Sequence, residues 1–246
     1  MKGVNNMDLI FLGRGCSNNV KQKNNAAYFI ENSELFLIDC GESVFAKLKE
    51  NNLLDSINTV NIMITHTHSD HVGSLGTLIL YCYFNIKVKV NIILPSHALH
   101  KEDIKSLTRI FGCTEEMYCI IDEEEYDNKY NTFKTIRYKQ TNHVPQICSY
   151  GILFDTTDGL VYYSGDTKEV NNIKEIISSG QRIDKIYMDT TTANSPDNVH
   201  FYMGYLNEEI PETLKNKVYC MHFNSEECIE VAKEYGFNVV DVINAD

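Results

Sequence analysis

Three histidines and an aspartate within six residues, His66-Thr67-His68-Ser69-Asp70-His71, constrain this chain more than any other feature. They follow Asn61-Ile62-Met63-Ile64, a short apolar run that reads as a buried strand, so they occupy the loop leaving its C-terminal end. Alternate residues of an extended segment point the same way, and His66 and His68 can therefore converge on one ion. Asp70 and His71 come after the chain bends into the helical pattern beginning at Val72, and can face a second ion beside the first. Imidazole nitrogen and carboxylate oxygen at this density form a transition-metal ligand set. A solvated polar loop has little reason to carry such a pattern.

The rest of the chain supplies a scaffold for a loop of this kind. Short runs rich in β-branched and aromatic residues read as strands at Leu9–Leu12, Ala27–Ile30, Leu35–Ile38, Val60–Ile64, Val90–Leu94 and Phe133–Tyr138. Further runs follow at Tyr150–Phe154, Leu160–Tyr163, Lys185–Met188, Lys217–Met221 and Asn238–Val242. Helical periodicity falls on Glu42–Asn51, Val72–Phe84, His100–Phe111, Val170–Ser179 and Glu226–Tyr235, with Gly180 and Gly236 as C-terminal stops. Early strands come in consecutive pairs, and later ones alternate with helices. That mixture predicts two sheets packed face to face with helices outside, rather than a doubly wound parallel sheet. No Gly/Ser- or Pro-rich linker divides the chain, so residues 1–246 are expected to form a single domain.

The cluster His66-Thr67-His68-Ser69-Asp70-His71 resembles the signature of the metallo-β-lactamase superfamily, whose fold is an α/β, four-layer αββα sandwich. The superfamily's other motifs occur in the expected order. His143 stands in Thr141-Asn142-His143, Asp166 in Tyr163-Ser164-Gly165-Asp166-Thr167, and His222 in Cys220-Met221-His222-Phe223. By this resemblance His66, His68 and His143 hold one ion, Asp70, His71 and His222 hold the other, and Asp166 bridges them. Zinc is the default metal for so histidine-rich a set, with manganese as the alternative. A metal pair acidifies a water and clamps an in-line displacement, and Asp70 can help orient that water. Asp39, in Leu37-Ile38-Asp39-Cys40-Gly41, stands where relatives place a carboxylate that fixes a ligand histidine from behind; a turn-capping aspartate before Gly41 is the other reading.

Local detail points to phosphodiester chemistry. Ser149-Tyr150-Gly151 after the third motif, Ser-Gly-Asp-Thr at the fourth and Phe223 after the last all resemble tRNase Z and its relatives. His200, 34 residues after Asp166 and 22 before His222, matches a histidine that protonates the leaving oxygen in those enzymes. Two departures matter. Only 22 residues separate His143 from Asp166, and two strands and a turn use them up, so no tRNA-gripping arm fits. The relatives' His-Glu-Ala-Thr segment reads Met188-Asp189-Thr190-Thr191, which weakens a tRNase-type proton relay. The chain thus resembles the armless tRNase Z relatives, among them the phage-encoded anti-Pycsar proteins. That resemblance implies a small cyclic nucleotide as substrate and a homodimer in which one subunit helps close the other's site. A tRNA-processing endonuclease, a lactonase or thioesterase working without His200, and a scaffold with a vestigial site are the rivals.

Charge supports a small substrate. With 22 basic and 34 acidic side chains the net charge is −12, so no global positive field attracts a long polyanion, and large nucleic acids are disfavoured as partners. The N-terminus has no apolar signal region, and the longest apolar run, Leu78 to Phe84, is too short to span a bilayer. Eight scattered cysteines without a C-x-x-C pair suit reduced thiols, so the expected location is a cytoplasm, the host's for a phage-encoded chain. Ser17 and Asn18, in the Leu12–Asn19 segment that leaves the first strand toward the metal edge, are weak candidates for substrate contact, with a plain turn as the alternative. His97 and His100 read as helix-start residues, Tyr81-Cys82-Tyr83-Phe84 as core, and the acidic run Asp122–Glu125 as a solvated loop.

Overall fold

The computed structural model describes residues 7–96, 98–130 and 135–243. Each half of the chain builds one six-stranded sheet. In the first, β1 (Ile10–Gly13), β2 (Ala26–Glu31) and β3 (Glu34–Ile38) run as an antiparallel meander, and β4 (Thr59–Met63), β5 (Lys89–Leu94) and β6 (Tyr118–Asp122) add to β3 in parallel. The second repeats the plan: β7 (Ile136–Thr141), β8 (Ser149–Thr156) and β9 (Gly159–Tyr163) are antiparallel. To β9 are added β10 (Ile183–Asp189), β11 (Val218–Met221) and the two-residue β12 (Asn238–Val239), all parallel.

Alternation along the strands explains why the sheets pack as they do. Leu35, Leu37, Val60, Ile62, Val90 and Ile92 point to one side of the first sheet. There they meet helices α1 (Val44–Glu50), α3 (Leu75–Tyr81) and α4 (Ala98–Ile110). Phe36, Ile38, Met63 and Ile93 point the other way and meet Ile152, Phe154, Val161, Tyr163 and Tyr187 of the second sheet in a shared inner core. Leu160, Tyr162, Ile186, Met188 and Val218 face outward again, under α6 (Asn171–Ser178), α7 (Met203–Glu209) and α8 (Glu227–Glu234). The result is the expected α/β/β/α sandwich. Each fully buried Leu or Ile contributes roughly 1.5–3 kcal/mol, so three contiguous layers of them dominate the folding energy. No helix among the described residues is long and apolar enough to cross a membrane.

Several local expectations need correction. The predicted Val72–Phe84 helix is broken into α2 (Ser69–Val72), α3 and a π-helical turn over Cys82–Ile86. The break falls at Gly73-Ser74 because the Ser74 hydroxyl donates to the Gly41 carbonyl at 2.6 Å and accepts from the Phe45 amide at 3.1 Å. The turn leaves Phe84 56% exposed, so the Tyr81–Phe84 segment is only partly core. The acidic run is not a loop: Asp122 ends β6, and Glu123–Glu125 form the first turn of α5 (Glu123–Tyr130), where negative charge faces the positive end of the helix dipole. Gly180 and Gly236 do end helices, both with left-handed φ. His100 lies in the first turn of α4, buried, with Nε2 3.3 Å from the Ile64 carbonyl; His97 and the first two residues of the expected Phe133 strand lie outside the described residues.

Candidate active site

Both sheets deliver their functional residues from the C-terminal ends of their strands to one rim. The His66–His71 loop follows β4, Asp39 follows β3, His143 follows β7, Asp166 follows β9, Asp189 is the last residue of β10, and His222 follows β11. The seven side chains expected to bind metal all meet there, drawn from four separate stretches of chain.

Their ligand atoms fall into two groups. In the first, His66 Nε2 and His143 Nε2 lie 3.1 and 3.2 Å from His68 Nδ1, and each lies 3.7 Å from Asp166 Oδ2. In the second, His71 Nε2 and His222 Nε2 lie 3.5 and 3.3 Å from Asp70 Oδ2, and 3.4 and 3.5 Å from Asp166 Oδ1. A tetrahedral ion with bonds of about 2.0–2.1 Å has ligand atoms about 3.3 Å apart, so both groups have the spacing to hold a metal ion. His71 Nε2 and Asp166 Oδ1 are buried and have no hydrogen-bond partner, as expected of atoms reserved for a cation.

Three of the imidazoles are aimed by what holds their far sides. His71 Nδ1 donates to Asp39 Oδ2 at 2.8 Å, and Asp39 also accepts from the Thr65 amide and hydroxyl, both at 2.8 Å. The Thr65 hydroxyl lies 3.1 Å from His66 Nδ1, and His143 Nδ1 donates to the Val199 carbonyl at 2.9 Å. These bonds keep the proton on Nδ1 and leave Nε2 bare for the cluster. Asp39 is fully buried with φ 64°, so it braces the candidate ligand His71 besides standing at a turn. The backbone is fitted just as closely: a Cβ on Gly41 would overlap the Asp70 carbonyl, and Gly165 adopts φ 58° against the Tyr150 carbonyl to present Asp166.

Burial and charge oppose each other throughout. Burial pushes His66 well below the ordinary imidazole range. Burial pushes His71 and His222 the same way, but Asp166 and neighbouring carboxylates outweigh it and hold both well above that range. Burial would raise Asp70 and Asp166, and the facing histidines instead hold both below the usual carboxylate range. These are the groups that could hold a dication, which would take the place of the protons on those histidines and offset the carboxylates together.

One residue that the sequence pattern discounted proves central. Asp189, fully buried, places Oδ2 2.8 Å from His200 Nδ1 and Oδ1 3.4 Å from His222 Nδ1. The shorter carboxylate of Met188-Asp189-Thr190-Thr191 thus engages His200 although the relatives' glutamate is missing. His200 Nδ1 is taken up by Asp189, its ring lies 4.9 Å from that of His222, and it retains some exposure. Burial lowers the His200 pKa, and Asp189 outweighs burial to raise it. Ser17 and Asn18 are exposed on the loop after β1, which is tied to the site through the Cys16 amide bonded to the Phe223 carbonyl at 3.0 Å. Neither side chain reaches the cluster's described contacts; Asn18 Oδ1 accepts from Cys16 Sγ at 3.0 Å.

A rim of buried imidazoles and carboxylates on a metallo-β-lactamase sandwich defines a metal-dependent hydrolase. The Bacillus subtilis metallo-β-lactamase fold protein YhfI superposes over 96% of this chain and 95% of its own with a TM-score of 0.70 at 14% identity. Human tRNase Z, short form, superposes over 96% of each chain with a TM-score of 0.64 at 16% identity. Within that fold the sequence is more particular: residues 7–240 match the family described as anti-Pycsar protein Apyc1, and the chain belongs to it. The anti-Pycsar protein Apyc1 of Bacillus phage BSP38 is 28% identical over 231 residues, covering 86% of this chain and 87% of the relative.

Proposed function

We propose that this protein hydrolyses 3′,5′-cyclic nucleotides to linear monophosphates with two divalent metal ions, zinc by default and manganese as the alternative. The observation that carries the reading is the division of Asp166, whose two oxygens face two separate ligand groups, beside a histidine held by its own buried carboxylate. His66, His68 and His143 would hold one ion, Asp70, His71 and His222 the other, with Asp166 between them. Such a pair, when bound, supplies an acidified water and charge stabilisation at the phosphoryl oxygens. Asp70, at the edge of the second group, is placed to orient that water.

His200 completes the chemistry. With Nδ1 committed to Asp189, its Nε2 is the atom that gives a proton to the ribose oxygen as the P–O bond breaks, and Asp189, bonded to Nδ1, favours the protonated ring until then. Membership in the Apyc1 family supports a cyclic nucleotide over a lactone or thioester, for which no leaving-group acid of this kind is needed. The β8–turn–β9 hairpin fills the interval between His143 and Asp166, which supports a small substrate over tRNA. The test is a panel: metal-loaded protein against cyclic nucleotides, linear phosphodiesters, precursor tRNA and a lactone. Cyclic nucleotides should be turned over fastest, and precursor tRNA cleaved at comparable rates would reject the reading. A homodimer in a cytoplasm remains part of the proposal, and sedimentation of the metal-loaded protein checks the first half of it.

A further inference from the structure

The loop between β10 and α7 carries His200 and also supplies the Val199 carbonyl that accepts from His143 Nδ1 at 2.9 Å. Backbone bonds close its ends: the Thr191 amide donates to the Phe201 carbonyl at 3.0 Å, and the Met203 amide to the Thr191 carbonyl at 2.9 Å. Residues 193–197, between those ends, are exposed, and the loop is stapled from within by Asn198. The Asn198 backbone N–H donates to the Ser195 carbonyl at 3.0 Å, and its side-chain Nδ2 to the Ala193 carbonyl at 2.9 Å. Its Oδ1 accepts from the His200 backbone amide at 3.1 Å, a turn that asparagine makes readily.

That last bond reaches the candidate site. The His200 N–H and the Val199 carbonyl belong to one peptide group, which is planar and trans, so the two point in opposite directions. Holding the N–H on one side fixes where the carbonyl aims on the other. Asn198 grips the N–H side of this plane and His143 the carbonyl side. The rings of His143 and His200 lie 5.3 Å apart, and a single peptide thus ties them together. We infer that Asn198 is a positioning residue, which sets the 199–200 peptide and through it both the aim of the candidate ligand His143 and the place of His200. For His200 the inference rests on the proposed diesterase function; for His143 it rests on the ligand geometry alone. The bonds described for Asn198 stay within its own loop, so its replacement spares the core.

The experiment compares the wild type with Asn198→Ala, which removes the acceptor for the His200 amide, and Asn198→Asp, which keeps it. Zinc affinity, measured by competition with a chromogenic chelator, should weaken about tenfold in Asn198→Ala and largely recover in Asn198→Asp. At saturating zinc, kcat of Asn198→Ala on the preferred 3′,5′-cyclic mononucleotide should fall about tenfold, with KM little moved. On bis(p-nitrophenyl) phosphate it should fall by a smaller factor, because p-nitrophenolate leaves without needing a proton. Asn198→Asp should regain most of the lost kcat. Zinc affinity in Asn198→Ala equal to that of the wild type, or an equal fall in kcat on both substrates, overturns the inference. A wild type that turns over bis(p-nitrophenyl) phosphate and no 3′,5′-cyclic mononucleotide overturns the functional reading instead, and zinc affinity then decides by itself whether Asn198 sets His143.

Discussion

The two halves of the chain share a plan and differ in how they supply the site. Each runs an antiparallel meander into three parallel strands. The first half delivers its four candidate ligands from one contiguous stretch after β4, His66 and His68 from the loop and Asp70 and His71 from the short helix α2. The second delivers His143, Asp166 and His222 from three loops, with Asp189 and His200 behind them. A contiguous loop can be read as a unit, because the geometry of one extended segment and one bend fixes where its side chains point. Ligands spread over a sheet edge have no such local logic; the order of strands in the sheet brings them together. The first half therefore writes its chemistry in spacing, and the second writes it in topology.

Substitutions can break that contrast in order of size. Asp166→Ala removes the one residue shared by both ligand groups, so turnover should fall to background and bound metal to less than one equivalent by elemental analysis. Retention of two equivalents would show that the halves bind independently. His200 stands against both groups, its ring 5.3 Å from that of His143 and 4.9 Å from that of His222, without being one of the proposed ligands. In His200→Ala kcat should therefore fall by about 10²–10⁴ with metal content unchanged; a lost metal would make His200 a ligand instead.

The two buried bracing carboxylates, one per half, sharpen the comparison. Asp39→Asn should weaken metal binding by about 10–100-fold, because His71 loses the acceptor that fixes it. Asp189→Asn should act on the pH profile. Asp189 holds the His200 pKa above its ordinary value against burial, so His200 remains protonated, and competent as an acid, to higher pH. Without that carboxylate the alkaline limb of kcat should move to lower pH, and a limb that stays put would remove His200 from the reaction.

The smallest effect lies at the seam between the halves. Glu123, at the start of α5, accepts from the Tyr138 amide of β7, and burial pushes its carboxyl up to about 6. A folded pKa above the unfolded one gives stability that is present at low pH and lost as pH rises through about 6. Glu123→Gln should therefore raise Tm by about 2 °C at pH 8 relative to the wild type, and by less at pH 5. Equal shifts at both values would mean that the carboxylate does not titrate with folding.

The legibility of the molecule follows the same division. The sandwich and most strands were visible because alternation of buried and half-buried residues leaves a direct trace in the sequence. Strand β6 was missed because Tyr118-Cys119-Ile120-Ile121 follows a polar turn and is a single short run without a partner nearby in the chain. Helix α5 was hidden by its own first turn, where three glutamates look like solvent-facing loop. Helix α7 buries only Met203 and Leu206, too little to show a period. Asp189 was discounted because one glutamate was expected in its place, although a buried carboxylate one methylene shorter still reaches His200. Thr65 and the Val199 carbonyl orient His66 and His143, and no spacing rule points to either, since their roles exist only once β3, β4 and the loop before α7 are folded together.

The divided carboxylate of Asp166 also bears on how the protein holds itself shut. A cation resting against it would touch side chains that enter from both sheets, acting as a clasp across the upper edge of the sandwich. Heat resistance would then follow the concentration of free metal around the protein, because a ligand bound only by the folded form raises Tm by mass action. Part of this molecule's durability would be set by the metal supply around it.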